Sequence, residues 1–552
     1  MQRLVAVRTR GPRHHHDHRE SRTAIERTKR RGAEPRGVPR VPRAWAAGIF
    51  FAGIALFTLT TYGGIRSPDN EVVFRAAQSF ADRFRLDVGG SLDDWDGFGV
   101  ARARDGAQYP IFGPAQSIAL APFVLAGRAV ATAWSGGPAL NPSLYVGRGL
   151  FNALYGAPLH DRPAHVLRLV CASFNVVVGA LGAVVFFLIL WQLTGALAGP
   201  LAGTAFFAAG SLFWPYTGTY FSEPLAMLFV LLSFHGLARI VTRGDREAPP
   251  SPRRAARAGL ALGLGVATHL TAALFIPFFA AIPWLQFHRR DRSGARHAVF
   301  GYLGGVAVVL ALLGAYNLSR FGNPLETGRT AVPGAADVFG YGIFTAPWPG
   351  IYGLLLGAGK GLFLFSPAVV IGLICWPALH RRFPVLSWTL GGAAVARWLF
   401  IATRSDWHGG FCLGPRYLLM IVPFLLLPIG VAIDDWIRRG DRRFVPWLAA
   451  ALILCVAQQA AFCTGEIFTF LHNLKVQAER ARIDVFAGDR LYLDRMWSPL
   501  FRLLDGRRGP FLLKGVGWSN SQLWLVLSVV LAAPVIAGAV ALRRRIGPSR
   551  PV

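Results

Sequence analysis

Apolar residues in this chain fall into blocks of about 20, the length that spans the hydrocarbon core of a bilayer, separated by short arginine-rich loops. Candidate spans read at 45–63, 166–191, 199–214, 221–241, 257–273, 274–287, 298–318, 361–380, 385–401, 417–437, 444–464 and 521–542. A further apolar stretch, 116–134, reads as a re-entrant segment or as one arm of a hairpin with 143–158. The stretch 257–287 lies between two basic loops and contains Pro277 and Pro283. A single crossing would put those loops on opposite sides, so a tight hairpin of two short spans is expected. Irregular backbone of that kind is tolerated where it is buried in protein. The pattern predicts an all-α, polytopic transmembrane helical bundle of about 12 spans plus a re-entrant or juxtamembrane segment, with no separate soluble domain.

The loops give the bundle its orientation. Basic clusters near 245, 292, 382 and 440, and at both termini, mark the cytoplasmic side by the positive-inside rule. The segments 64–165, 215–220, 319–360, 402–416 and 465–520 are then expected outside. Residues 1–43 read as a disordered basic cytoplasmic tail, and 44–464 as the bundle, including a first outer loop over 64–115. Residues 465–520 read as an outer loop segment, and 521–552 as the last span with a second basic tail. The two halves show no sequence repeat, which counts against an inverted-repeat transporter.

Composition sharpens this picture. The chain has 552 residues, 53% hydrophobic and 16% charged, against the roughly one quarter charged of soluble domains. Its net charge of +29 could point to nucleic acid. The distribution says otherwise: residues 1–43 alone hold 13 Lys/Arg against 4 Asp/Glu, and most other clusters sit in short loops. A nucleic-acid binder needs a continuous basic face with aromatic platforms, so no such partner is expected. The tail is too long and basic for a signal peptide, and its His14-His15-His16-Asp17-His18 run reads as part of a basic segment at an anionic membrane surface. Five cysteines, none in a C-x-x-C pair, read as small buried hydrophobes. Frequent Arg, Ala and Gly hint at a GC-rich bacterial genome.

Four outer segments carry chemistry. After the first span come Ser67-Pro68-Asp69-Asn70-Glu71. In an extended segment Asp69 and Glu71 point to one side, where a carboxylate can serve as general base towards a hydroxyl. In a helix through Val72, Val73, Ala76, Ala77 and Phe80, Asp69 is instead its N-cap. The second segment, Trp214-Pro215-Tyr216 to Ser222-Glu223-Pro224, sets Glu223 at the mouth of an apolar span, either as a cavity carboxylate or in a helix start capped by Ser222. The third runs from Asp406-Trp407-His408-Gly409-Gly410 to Gly414-Pro415-Arg416-Tyr417. Arg416 stands on the outer side, where cations are few, and a guanidinium grips phosphate with two parallel hydrogen bonds; the plainer reading is a snorkelling interfacial residue. His408 could donate to the same anion, although a lone His is not a metal site. The fourth, Gly357-Ala358-Gly359-Lys360-Gly361, lacks the phosphate-loop spacing, so Lys360 is at most a single anion contact.

These pieces, with Tyr109-Pro110-Ile111-Phe112-Gly113-Pro114-Ala115-Gln116-Ser117, Arg320-Phe321-Gly322-Asn323-Pro324 and Ser366-Pro367, run in one order over 45–437. As an ordered set they resemble the GT-C superfamily of membrane glycosyltransferases, most nearly bacterial family 39 and its protein O-mannosyltransferase and aminoarabinose-transferase relatives. The resemblance implies a helical bundle with an outer cavity. It implies a polyprenyl-phosphate-linked sugar donor, inverting transfer, a loop acid as base and cations on the lipid phosphate. By position Asp69 matches the loop acid. Many relatives have adjacent Asp-Glu, whereas Asn70 separates the two here, so the base is Asp69 or Glu71. Arg416, His408, Lys360, Glu223, Tyr109 and Gln116 are the expected substrate and donor-phosphate contacts. No cofactor is expected; Asp69 and Glu71 could hold a divalent ion, but no full ligand set follows. The acceptor hydroxyl, on protein, lipid or envelope glycan, is not named by the sequence. A transporter or flippase for lipid-linked glycans is the rival reading. A glycan polymerase or ligase is a third, favoured if 465–520, with Arg480, Arg482 and Arg490, were essential and Asp69 dispensable.

Overall fold

The computed structural model describes residues 43–61, 65, 68–88, 99–134, 162–243, 251–329, 344–410 and 412–464, with a few positions between 478 and 500. The basic tail, the 143–158 arm, the 521–542 span, Ser67 and most of 465–520 lie outside the described residues. Eight described segments are long and apolar enough to cross a membrane: Arg43–Thr60, Pro114–Ala133, Val166–Thr194, Leu270–Phe287, Arg292–Phe321, Pro384–Ala402, Arg416–Arg438 and Phe444–Cys463. Helices Glu223–Arg243 and Pro252–Thr268 occupy two further predicted positions. The chain is a multi-pass, all-α membrane protein.

Local sequence accounts for most departures from the predicted spans. The stretch 116–134 is one continuous helix, Pro114–Ala133, with Pro114 in its first turn and Pro122 inside it; this replaces the re-entrant turn and fits one arm of the alternative hairpin. Residues 361–380 form three short helices, Leu362–Phe365, Ala368–Ile374 and Trp376–Arg382. Pro367 and Pro377 stand at the starts of the last two, where a missing N–H is harmless. The 257–287 stretch divides into two helical elements as expected, but the break falls at His269, not at 273. His269 is extended (φ −148°, ψ 111°) and leads into a 3-10 turn, Leu270–Phe275.

The first outer loop opens as a helix, Pro68–Arg83, with Asp69 and Glu71 in its first turn. Val72, Val73, Phe74, Ala76 and Ala77 are buried, so this face is packed against the bundle. At 100° per residue, Asp69 and Glu71 project about 200° apart. A helix therefore replaces the extended reading, with Asp69 inside its first turn and not at the expected N-cap, and the two acids do not share a side. A small antiparallel hairpin follows, Val100–Arg102 with Gln108–Pro110, pairing Ala101 with Tyr109. Arg320 ties it down: its carbonyl accepts from Arg104 N–H at 3.0 Å, and its guanidinium donates to Pro110 O at 3.3 Å.

Helix Val422–Arg438 is the axis of the bundle, buried from Val422 to Asp434. Gly199 and Gly203 of the Ala198–Ala208 helix meet it at Gly430, and a Cβ on Gly199 would run into Gly430 O. Close approach through small residues four apart is a usual mode of helix association in an apolar medium. At its far end Asp434 accepts from Arg382 Nη1 at 2.6 Å and Arg438 Nε at 2.9 Å. Arg438 also donates to Thr194 O at 2.7 Å. Three helix ends are thus clamped on the side that carries the basic loops. Arg416 begins the same segment, 23 residues long. At 1.5 Å per residue the two ends are roughly 30 Å apart.

Candidate functional site

Arg416 is delivered by an unusual turn. Gly409, Gly410 and Gly414 have φ of 68°, 71° and 57°, a region that side chains rarely adopt. A Cβ on Gly409 would also stand 3.0 Å from Arg416 Cγ. The loop then enters a 3-10 turn, Arg416–Ile421, whose first side chain points back into the bundle. Its guanidinium lies 4.6 Å from the Phe221 ring centre and 5.0 Å from that of Tyr417.

Two carboxylates from distant parts of the chain face this guanidinium. Asp69 Oδ2 is 3.5 Å from Nη1, and Glu223 Oε1 is 3.7 Å from Nε. Both distances exceed the 2.7–2.9 Å of a charge-assisted hydrogen bond. Asp69 retains 20% of its side-chain exposure and Arg416 13%, whereas Glu223 has 3%. Glu223 opens its helix and is fully enclosed.

Further groups surround the trio. His269 Nε2 is 4.0 Å from Glu223 Oε1, and its Nδ1 is 2.8 Å from Thr271 Oγ1. Buried Arg397, inside the Pro384–Ala402 helix, donates to Tyr417 O at 2.8 Å and Thr271 O at 2.9 Å. It therefore ties together the two turns that carry Arg416 and His269. Asp406 accepts from Arg404 through both oxygens, at 2.6 and 2.8 Å, and from the Tyr417 hydroxyl at 3.1 Å. Burial works to raise the Asp406 carboxyl, but the Arg404 hydrogen bonds, with the charges of Arg404 and Arg329, outweigh it and hold it at about 2. Arg397, Arg329, Arg416 and Arg404 all act electrostatically on the His269 ring. Set against Asp69, Glu223 and Asp406, these four guanidiniums leave a positive site suited to an anion.

The other predicted residues take different places. Glu71 is fully buried and held by Arg75 Nε at 3.0 Å and Arg168 Nη2 at 2.8 Å. Lys360 is buried and donates to Gly410 O at 2.7 Å, Cys412 O at 2.8 Å and Cys412 Sγ at 3.2 Å. Burial pushes its ammonium down from the usual lysine range. Its hydrogen bonds brace the loop that carries Arg416. His408 Nδ1 accepts from Gly410 N–H at 3.0 Å, and its ring stacks on Tyr492 at 4.0 Å. The Tyr109 hydroxyl donates to Asp105 at 3.0 Å, within the hairpin. Gln116 donates to Tyr220 O at 2.7 Å and so anchors the strand of chain leading to Glu223. The structure thus gathers Asp69, Glu223 and Arg416, and sets Glu71, Tyr109 and Gln116 in other contacts. Among the described residues no three His, Cys, Asp or Glu side chains come together as metal ligands.

Sequence reasoning missed Arg397, His269, Arg404 and Arg329. Arg397 and His269 had a signal, since a polar side chain inside an apolar block usually faces a cavity or a partner. Arg404 and Arg329 sit in polar loops, where one arginine looks like any other.

No family model matches the chain, and no curated protein matches it in sequence. Among solved structures it is similar to ArnT from Cupriavidus metallidurans. With ArnT bound to undecaprenyl phosphate the identity is 13% and the TM-score 0.42, over 85% of this chain and 79% of ArnT. With apo ArnT the values are 12% and 0.42, over 89% and 76%. It is also similar to the Archaeoglobus fulgidus oligosaccharyltransferase tethered to an acceptor peptide, at 12% identity and TM-score 0.40, over 76% of this chain and 55% of that one.

Proposed function

We propose that this protein is an inverting membrane glycosyltransferase that moves a sugar from a polyprenyl-phosphate-linked donor to an acceptor hydroxyl on the outer face of the bacterial inner membrane. The observation that carries the reading is Asp69 facing Arg416 across 3.5 Å, at the end of the bundle away from the basic loops. The ordered motifs support the donor class. The charge surplus around Arg416 supports a phosphate there.

In this reaction the acceptor oxygen attacks the anomeric carbon from the face opposite the phosphate. The new C–O bond forms as the anomeric C–O bond breaks, and the bonding pair leaves with the lipid phosphate. The hydroxyl proton passes to the Asp69 carboxylate. Arg416 offers Nη1, the nitrogen that faces Asp69, to the phosphate oxygen on which charge develops. Fixed donors aimed at such charge, in a site poor in water, give the largest single contribution to catalysis. A phosphate oxygen on Nη1 takes the position Asp69 faces, which frees that carboxylate for the acceptor. Lys360 acts through the 406–415 loop and holds Arg416 in register. Glu71 acts by fixing the start of the helix that carries Asp69.

The test is transfer of labelled sugar from lipid-linked donors in membranes carrying Asp69→Asn or Arg416→Ala. Loss in both supports the mechanism, and full activity in both removes it. A donor recovered on the opposite side of the membrane with its sugar–phosphate bond intact would instead favour a flippase.

A further inference from the structure

Beneath the Asp69–Arg416 pair lies a second layer of polar groups. Three buried side-chain atoms there have no hydrogen-bond partner among the described residues: Glu223 Oε2, Arg416 Nε and Arg397 Nη2. In folded proteins the large majority of buried polar side-chain atoms are paired, so each exception asks for an explanation. These exceptions are neighbours in one network. Glu223 lies 3.7 Å from Arg416 Nε and 4.0 Å from His269 Nε2. Arg397 holds the carbonyl of Thr271, whose hydroxyl is 2.8 Å from His269 Nδ1. With that hydroxyl donating to Nδ1, the ring proton sits on Nε2, the nitrogen that faces Glu223.

The group facing this layer must bring both donors and acceptors. A carboxylate with one unpartnered oxygen wants O–H groups, while guanidinium N–H groups and an imidazole N–H want oxygen acceptors. A phosphate fits poorly beside Glu223, because like charges at such distances repel. A polyhydroxylated ring fits all of them, each hydroxyl donating to Glu223 and accepting from Arg397 or His269. Resting on the glycosyltransferase reading, we propose that Glu223, His269 and Arg397 form the subsite that recognises the hydroxyls of the donor sugar, next to the phosphate site on Arg416. A site built to hydrogen-bond a hydroxyl discriminates strongly against ligands lacking it, because its own polar groups are then left unpaired.

Binding to the purified full-length protein tests this, with bare undecaprenyl phosphate and a panel of undecaprenyl-phosphate glucose, mannose, galactose and arabinose as probes. The wild type is expected to bind at least one glycosylated lipid more tightly than the bare lipid. Glu223→Gln and His269→Ala should each remove about tenfold of that margin, as expected for a hydrogen bond to a charged or polar partner, while bare-lipid affinity stays within about twofold. Arg416→Ala should weaken both classes of probe. Retention of the full margin in Glu223→Gln and His269→Ala overturns the proposal. So does an equal loss of bare and glycosylated lipid in both variants, which assigns these residues to the phosphate or to folding. Failure of the wild type to bind the bare lipid overturns the glycosyltransferase reading itself, and is thereby distinguished from failure of the subsite.

Discussion

Asp69 Oδ2 stands 3.5 Å from Arg416 Nη1, while Glu71, two residues along the same helix, is enclosed between Arg75 and Arg168. One helical turn thus separates two carboxylates into an ion-paired strut and a partly exposed group aimed at a cation. The difference follows from helical geometry, which turns alternate residues to nearly opposite faces.

Asp69→Asn is therefore expected to lower sugar transfer by about a hundredfold or more, the usual contribution of a positioned general base. Glu71→Gln should leave turnover per folded molecule near wild type. It should reduce stability by about 2–3 kcal/mol, because two guanidiniums lose their buried partner and partial exposure softens the loss. Transfer assays normalised to folded protein, with thermal unfolding in detergent, separate the two effects. Equal turnover losses in both variants would sink the distinction.

Replacing Arg416 should be severe even when charge is kept. Removing a preorganised donor to developing negative charge lowers rates by roughly a hundred- to a thousandfold. Arg416→Lys is expected to recover only a small part of this, since an ammonium cannot supply two parallel N–H groups and the stacking on Phe221. Steady-state transfer by the Ala and Lys variants checks this. Wild-type rates in Arg416→Lys would mean that only charge matters there.

The architecture was more legible in the sequence than the site. Spans show because a bilayer demands long apolar blocks, and Asp69, Glu223 and Arg416 show because charges at the edges of such blocks are costly. Which acid faces Arg416 was not legible, since extended and helical forms of 68–71 send Glu71 to different sides. The role of Lys360 depends on the glycine turn 409–414, whose fold no local pattern announces. Arg397 and His269 were absorbed into the apolar average of their blocks. The paths of 116–134 and 361–380 depended on prolines that read equally well as helix starts and as breaks.

Asp406 supplies a prediction with a defined pH window. Its carboxyl titrates at about 2 in the folded protein, below its ordinary 3.8. A depressed folded value means that the contribution of the Asp406–Arg404 pair is complete above the unfolded pKa. It fades as pH falls from about 4 towards 2. The stability gap between wild type and Asp406→Asn should then be constant from neutral pH down to about 4 and narrow below it. Melting temperatures over that range provide the check; a gap that widens on acidification would contradict the assignment.

Asp434 offers the strongest test of how the bundle holds the site from a distance. It is 2% exposed and joins Arg382 at 2.6 Å and Arg438 at 2.9 Å, at the end of the axial helix opposite Arg416. Asp434→Ala leaves two cations without their shared buried partner, and breaking such a pair commonly costs about 3 kcal/mol or more. Asp434→Asn keeps an acceptor for one arginine and should cost less. Because the cluster lies roughly 30 Å from Arg416 along one helix, lipid-phosphate affinity in molecules that remain folded should be unchanged. Thermal unfolding combined with undecaprenyl phosphate binding reads both quantities. An Asp434→Ala protein as stable as wild type would show that the clamp is decorative. Lost lipid binding at full stability would show instead that the two ends of the axial helix are coupled.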